Sequence, residues 1–340
     1  MASDRLVLGV DVGGTKIAVA ALRGAEARHR IEHRTELTST PALLNGLERT
    51  VREVIAVVGT PAAIGVGVPS QIEYSTGSVE TSVNIPLAGV ALRAELGRRF
   101  GVPVFVDNDA NCAALAEAQL VPSDDLVMLT LGTGVGGGVI VGGRIFRGAN
   151  GLGAELGHFP INADGPRCPG NCPNSGCLEA YCSGQALERD ASELGRDKPR
   201  SRLARALGSD GKVSGHELVT AAEEGDPDAL LVIERFGRML GVGIAGYVNV
   251  FQPEHLAIGG GLSRASHLYF QRAVQEAATR ALPALWRRVD VSLARGGADA
   301  GVIGAGVLAA QEVEEHRLAA PSERQRDTAK ANTTGTEGVE

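Results

Sequence analysis

Through its N-terminal part the chain alternates apolar, β-branched runs with stretches of helical period. RLVLGVDV and KIAVAAL predict strands, PALLNGLERTVREVIAVVG a helix, AAIGVGVP a strand, ALRAELGRRFG a helix and VPVFVDND a strand. Strands interleaved with helices place the fold in the α/β class. After residue 184 the pattern becomes helical, through GQALERDASELG, GHELVTAAEEG and DPDALLVIERFGRMLGVGIAGYVNVF, until HLAIGGG brings back a strand. Ser214 and Glu217 have the spacing of a capping box at the second of these helices. Residues 321–340 are polar, rich in Thr, Glu and Arg, and carry no apolar period, so a disordered tail is expected there.

Two segments share one layout. LVLGVDVGGTKIAVAAL and LVMLTLGTGVGGGVIVGG each run from a β-rich stretch through a glycine turn into a second β-rich stretch, and each predicts a hairpin. Gly132, Gly134 and Gly137 have the G-x-G-x-x-G spacing of a dinucleotide site, but that fingerprint needs a helix after its last glycine. GVIVGGRIF is β-branched and broken by glycine, which disfavours a hydride-transferring dehydrogenase. GVDVGGTK likewise puts Thr15 where a phosphate-loop lysine belongs. Each turn alone reads as a tight hairpin. Two of them, one in each half, offer backbone N–H groups for an anion, and a nucleotide phosphate chain fits between them. A third glycine cluster, AIGGGLS at 257–263, offers backbone to a purine or ribose, or else forms the first turn of the following helix.

Composition narrows the class. A net charge of -7 leaves no basic face for nucleic acid or acidic lipid. The 340 residues exceed what one core usually organises, so two lobes are expected. No apolar run approaches the ~18 residues of a membrane span. MASDRLVLGVDVGG lacks the regions of an export signal, and a cytoplasmic location is expected. A reducing compartment disfavours disulfides. Cys168, Cys172, Cys177 and Cys182, crowded behind GAELGH, are then read as metal ligands or as free buried thiols.

VFVDNDANCAALAE places carboxylates at the end of a strand, where strand period puts Asp107 and Asp109 on one side. Asp109 can serve as a general base, or cap the helix that begins ANCAALAE.

In chain order, DVGGTK, NDANCAALAE, LGTGVGGG, GAELGH with CPNSGCLEAYCSG, and IGGGLS resemble the motifs of the ROK-family sugar kinases, glucokinase-like members of the actin-like, ribonuclease-H-like ATPase superfamily. The resemblance runs from about Leu6 to Leu308. It implies a two-lobed actin-like ATPase fold of the α/β class, with duplicated mixed-sheet cores and a zinc-binding loop in the larger lobe. Residues 1–117 would form the small lobe, joined by a C-terminal helix at 301–316, and residues 118–300 the large lobe. The implied activity is ATP-dependent phosphorylation of a hexose, glucose first, with N-acetylmannosamine or fructose as alternatives. A homodimer or homotetramer is implied as well.

The resemblance also implies roles. Asp11, Gly13, Gly14, Thr15 and Lys16 would form the first phosphate motif, Gly132, Thr133 and Gly134 the second, and Gly259, Gly260 and Gly261 the adenosine-side turn. Asp109 would be the catalytic base, with Asn108, Glu155, His158 and Glu179 on the sugar. Asp11 would hold Mg2+ through water. Lys16 would face phosphate, or be a solvated hairpin lysine. His158, Cys168, Cys172 and Cys177 would hold a structural zinc, the histidine using one ring nitrogen for metal and the other for sugar.

Three departures from the family pattern stand out. The first two cysteines are three residues apart in CPGNC rather than one, so Cys182 could replace a ligand; otherwise Cys182 and Cys112 pack in the core. Ser70 follows GVP where many relatives have glycine. NIPLAGV lacks their aromatic residue near Val90, leaving Asn84 as a candidate sugar contact. The family also includes sugar-responsive repressors with a helix-turn-helix ahead of the first phosphate motif; the ten residues before Asp11 hold no such module. A non-catalytic sugar sensor is the remaining alternative, against which Asp11, Asp109 and both phosphate turns speak.

Overall fold

The first glycine turn joins β1 (Val7–Val12) and β2 (Lys16–Arg23), which pair antiparallel with Val12 opposite Ile17. This computed structural model describes residues 5–24, 26–170 and 172–319; the expected tail at 321–340 lies outside them. β3 (Glu26–Arg34) adds an edge strand that the hydrophobic pattern does not predict, because its residues are charged and largely exposed. α1 (Thr40–Val58) follows, capped by Ser39, then β4 (Ile64–Val68), the small hairpin of β5 (Ser70–Glu73) and β6 (Ser78–Ser82), α2 (Leu92–Phe100) and β7 (Val104–Asn108). β4 runs parallel to β1 and β7 parallel to β4, giving the order β3-β2-β1-β4-β7.

α3 (Asp109–Leu120) leads into a second copy of this plan. β8 (Leu126–Leu131), β9 (Val135–Val141) and β10 (Arg144–Ile145) form the meander. The long helical insert comprises α4 (Glu179–Cys182), α5 (Gly184–Asp197), α6 (Arg202–Arg205), α7 (Gly215–Glu223) and α8 (Pro227–Phe251). The capping box expected at Ser214 and Glu217 is formed. β11 (His255–Gly259), α9 (Ser266–Arg280), α10 (Pro283–Trp286) and β12 (Asp290–Leu293) complete the sheet, ordered β10-β9-β8-β11-β12 with β8, β11 and β12 parallel. α11 (Ala300–Ala319) then returns to pack on β1 and β4 of the first sheet and along α3.

Three apolar layers hold the molecule together. The first sheet packs one face on α1 and α2 through Leu8, Val10, Leu43, Leu47 and Val66. The second sheet packs one face on the helical insert through Leu129, Val139, Leu178, Leu240 and Ile244. Between the sheets, α3 and α11 share a core that includes Ala20 from β2 and Met128 from β8. α3 and the first half of α11 carry small apolar residues on nearly all sides, as segments buried between two sheets must. The approach is close enough that a methyl at Gly65 would overlap the Ala305 carbonyl. No helix among the described residues is long and apolar enough to cross a membrane.

Candidate active site

Ligands of open α/β sheets gather beyond the carboxyl ends of the parallel strands. Asp11 lies near the end of β1, Asn108 ends β7, the Gly132–Gly134 turn follows β8 and Gly259 ends β11. The glycine turns and the carboxylates thus occupy equivalent ends of the two sheets.

Asp109 is the first residue of α3, so its side chain follows helix geometry and not the strand period assumed for Asp107 and Asp109. The cap is Asn108, whose Oδ1 accepts from the Ala110 N–H at 2.8 Å and the Asn111 N–H at 3.4 Å. The Asp109 carboxylate is half-buried, its Oδ1 accepting only locally from the Ala110 N–H at 2.8 Å. Burial pushes its pKa above the ordinary carboxylate range, and the Glu155 charge adds to the effect. Asp11 is pushed up to about 6, by burial first and then by the Asp109 charge. Asp11 therefore lies in the field of Asp109. Asp107 instead lies beneath the elbow, buried and paired with Arg147 at 2.7 Å.

On the opposite wall, Glu155 is exposed and accepts from Gln71 Nε2 of β5 at 3.0 Å. Glu179 is buried, and its Oε2 accepts from the Val135 N–H at 2.7 Å, beside the second glycine turn. Ser70, the residue that departs from relatives, spends its hydroxyl on Ser82 at 2.9 Å, while its carbonyl accepts from Asn108 Nδ2 at 3.3 Å. Its side chain is thus engaged within the β5–β6 hairpin. Asn84 is exposed, its carbonyl close to Gly14, and Val90 packs at the edge of the first core.

His158, Cys168, Cys172 and Cys177 come together, with their ligand atoms all within 4.8 Å of one another. His158 Nδ1 stands 3.6 Å from Cys168 Sγ. Bond lengths of ~2.0 and ~2.3 Å at a tetrahedral centre give an edge of about 3.5 Å, so this donor set fits zinc. Burial, followed by hydrogen bonding among the thiols, pushes Cys168 well above the ordinary thiol range; burial also raises Cys177. A cation would reverse that. Cys182 does not join: it is fully buried in α4, its Sγ 3.8 Å from the Phe236 carbonyl, and Cys112 is likewise core.

At the first glycine turn, the Gly13 N–H donates to the Lys16 carbonyl at 2.9 Å, and Thr35 Oγ1 donates to the Gly13 carbonyl at 2.6 Å. Thr15 is exposed. Lys16 Nζ pairs with Glu32 of β3 at 2.9 Å, both side chains partly exposed. The Gly132 carbonyl of the second turn accepts from the Gly184 N–H at 2.8 Å, seating Gly132, Thr133 and Gly134 against the start of α5. Gly260 has φ +88 and lies against Leu131, which only glycine permits. Gly259, Gly260 and Gly261 lead into a 3-10 turn, Gly261–Ala265, before α9 starts. Gln71 and Arg147 are site residues that the sequence reading missed; both are single polar residues outside the glycine and cysteine motifs.

The paired sheets, each a three-stranded meander extended by two parallel strands, are the architecture of the actin-like ATPases. The chain belongs to the ROK family, which its residues 7–312 match. It is 35% identical to a glucokinase of Halalkalibacterium halodurans, covering 91% of this chain and 96% of that one. A ROK hexokinase structure from Thermus thermophilus superposes with a TM-score of 0.82 at 33% identity, over 91% of this chain and 99% of that one. A ROK family glucokinase from Streptomyces griseus, solved in complex with glucose and AMPPNP, gives a TM-score of 0.74 at 31% identity, over 90% and 99%.

Proposed function

We propose that the chain is an ATP-dependent glucokinase, transferring the γ-phosphoryl group of ATP to the 6-hydroxyl of glucose with Asp109 as general base. The observation that carries this reading is the division of labour at the β7–α3 elbow: Asn108 caps the helix, which leaves the Asp109 carboxylate, raised in pKa by burial, for proton transfer. The two lobes would comprise residues 1–117 with α11, and 118–300, closing on the sugar to exclude water.

In the step, Asp109 takes the 6-hydroxyl proton as that oxygen bonds to the γ-phosphorus, and the bond from phosphorus to the bridging oxygen breaks to release ADP. Asn108, Glu155, His158 and Glu179 orient the sugar. The turns at Gly13–Lys16 and Gly132–Gly134 cradle phosphate, and Gly259–Gly261 lies along the adenosine. Asp11 would hold Mg2+ through water, which when bound neutralises charge on the β- and γ-phosphates. His158, Cys168, Cys172 and Cys177 would hold zinc as a structural clamp, His158 turning Nδ1 to the thiols and leaving Nε2 for the sugar.

Asp109 and Asp11 must both be ionised, so kcat/KM should fall as pH drops through about 6, where Asp11 takes up its proton. The limiting slope is about tenfold per pH unit for one essential group. Stability moves the other way. A carboxylate raised on folding binds a proton that the unfolded chain has already lost, so its contribution is present in acid and is lost as pH rises through about 6. A flat kcat/KM profile between pH 5 and 8 would remove Asp11 from the chemistry.

Activity is tested directly by a coupled assay across hexoses and phosphoryl donors. Glucose with ATP should give the highest kcat/KM, because a site built to hydrogen-bond a hydroxyl rejects an analogue lacking it by up to ~10⁴. A preference for N-acetylmannosamine or fructose would overturn the substrate and keep the kinase; no turnover of any hexose would overturn the kinase.

A further inference from the structure

Arg147, in the loop between β10 and Glu155, sits among groups of the first sheet and of α11. Its Nε donates to Asp107 Oδ2 at 2.7 Å, its Nη2 lies 3.7 Å from Glu312 Oε1 of α11, and its Cζ stands 3.6 Å over the Tyr74 ring. The side chain is 18% exposed, with Asp107 at 3% and Glu312 at 13%. Tyr74 Oη donates in turn to Glu312. The other Asp107 oxygen accepts from the Asn108 N–H and from Asn111 Nδ2, both at 2.8 Å. One guanidinium therefore touches the carboxylate on which the Asn108–Asp109 elbow rests, the ring at the end of β5 and the helix between the sheets. The same loop is folded back on itself by the Gly153 N–H donating to the Arg147 carbonyl at 2.9 Å, two residues before Glu155.

We propose that Arg147 is a positioning residue for phosphoryl transfer: it couples the loop bearing Glu155 and His158 to the elbow bearing Asn108 and Asp109, so that sugar hydroxyl and base meet in register. The proposal rests on the kinase reading above. Guanidinium suits the task because it is planar and forked, spanning two carboxylates while stacking on an aromatic face, which an ammonium cannot do. Alignment errors near 1 Å are enough to cost ~10²-fold in rate.

Arg147→Lys separates alignment from mere charge balance, since it keeps a cation beside buried Asp107 but loses the fork and the stacking. Its kcat should fall about tenfold, with the KM for ATP unchanged and the melting midpoint close to that of the parent. Glu312→Gln, nearly isosteric, removes the charge of the second anchor and should show the same split with a smaller fall. Wild-type kcat and glucose KM in both variants, or losses of activity that only track the folded fraction at the assay temperature, would overturn the proposal. A parent protein that phosphorylates no hexose would instead overturn the kinase reading, which the same assay reports separately.

Discussion

Asp109→Asn is expected to lose at least about a hundredfold in kcat while melting at nearly the parent temperature. The size follows from the proton: an amide accepts none at neutral pH, and general-base catalysis is typically worth ~10² to 10⁴ in rate. The unchanged stability follows from the fold, because the cap of α3 is Asn108 and not Asp109. Asn at the first helical position gives up a favourable carboxylate at the helix N-terminus, worth ~0.3 to 1 kcal/mol. It also relieves the desolvation that pushes the Asp109 pKa up, a penalty that grows as pH rises past the unfolded carboxylate's pKa and is complete above the folded one. The two effects oppose. Glucose binding, read by calorimetry, should weaken far less than kcat, since Asn108, Glu155 and Glu179 remain. Near-normal kcat in this variant would strip Asp109 of its role and leave the mechanism without a base.

The second large effect concerns the thiol cluster. Purified protein should carry one zinc per chain, and Cys177→Ser should lose both metal and activity. Cys177 is fully buried and stands two residues before Glu179, which in turn accepts from the β9 backbone at Val135. Releasing the clamp frees Glu179, His158 and the loop that carries Glu155 together, so a fall in kcat/KM of at least ~10²-fold is expected from misalignment alone. Metal binding to such a set is also folding free energy for its loop, so the melting temperature should drop with zinc content. Cys182→Ser is the control. Its sulfur packs against the Phe236 carbonyl, apart from the cluster, and this variant should keep its zinc. Full activity in metal-free protein, or zinc retained by Cys177→Ser and lost by Cys182→Ser, would sink the assignment.

The departures in sequence acquire a physical reading at particular residues. CPGNC still delivers both thiols to the cluster despite its longer spacing. Ser70 turns its hydroxyl into the hairpin, away from Asn108, so the change from glycine is taken up by the Ser70–Ser82 pair. Lys16 is held by Glu32, on a strand invisible to hydrophobic patterning because charged residues dominate it and Ile31 is its one bulky apolar residue.

What was legible beforehand was local. Glycine turns between β-branched runs, helical periods, the capping box at Ser214 and the spacing of His158 with the cysteines depend on neighbours within a few residues, and their chemistry is written in order along the chain. β1 with β2, β8 with β9, α1, α5, α7 and α8 all follow from it. What was not legible depends on groups far apart in the chain: the placement of α3 and α11 between two sheets, the Gln71 amide reaching Glu155, the choice of Asn108 over Asp109 as cap, and Arg147 lodged between Asp107, Tyr74 and Glu312. α3 and the first half of α11 show no apolar stripe because both sides are buried, and a lone arginine or glutamine carries no period. Their partners are chosen by the packing of one sheet against the other, an energy shared across the whole core and absent from any short window of sequence.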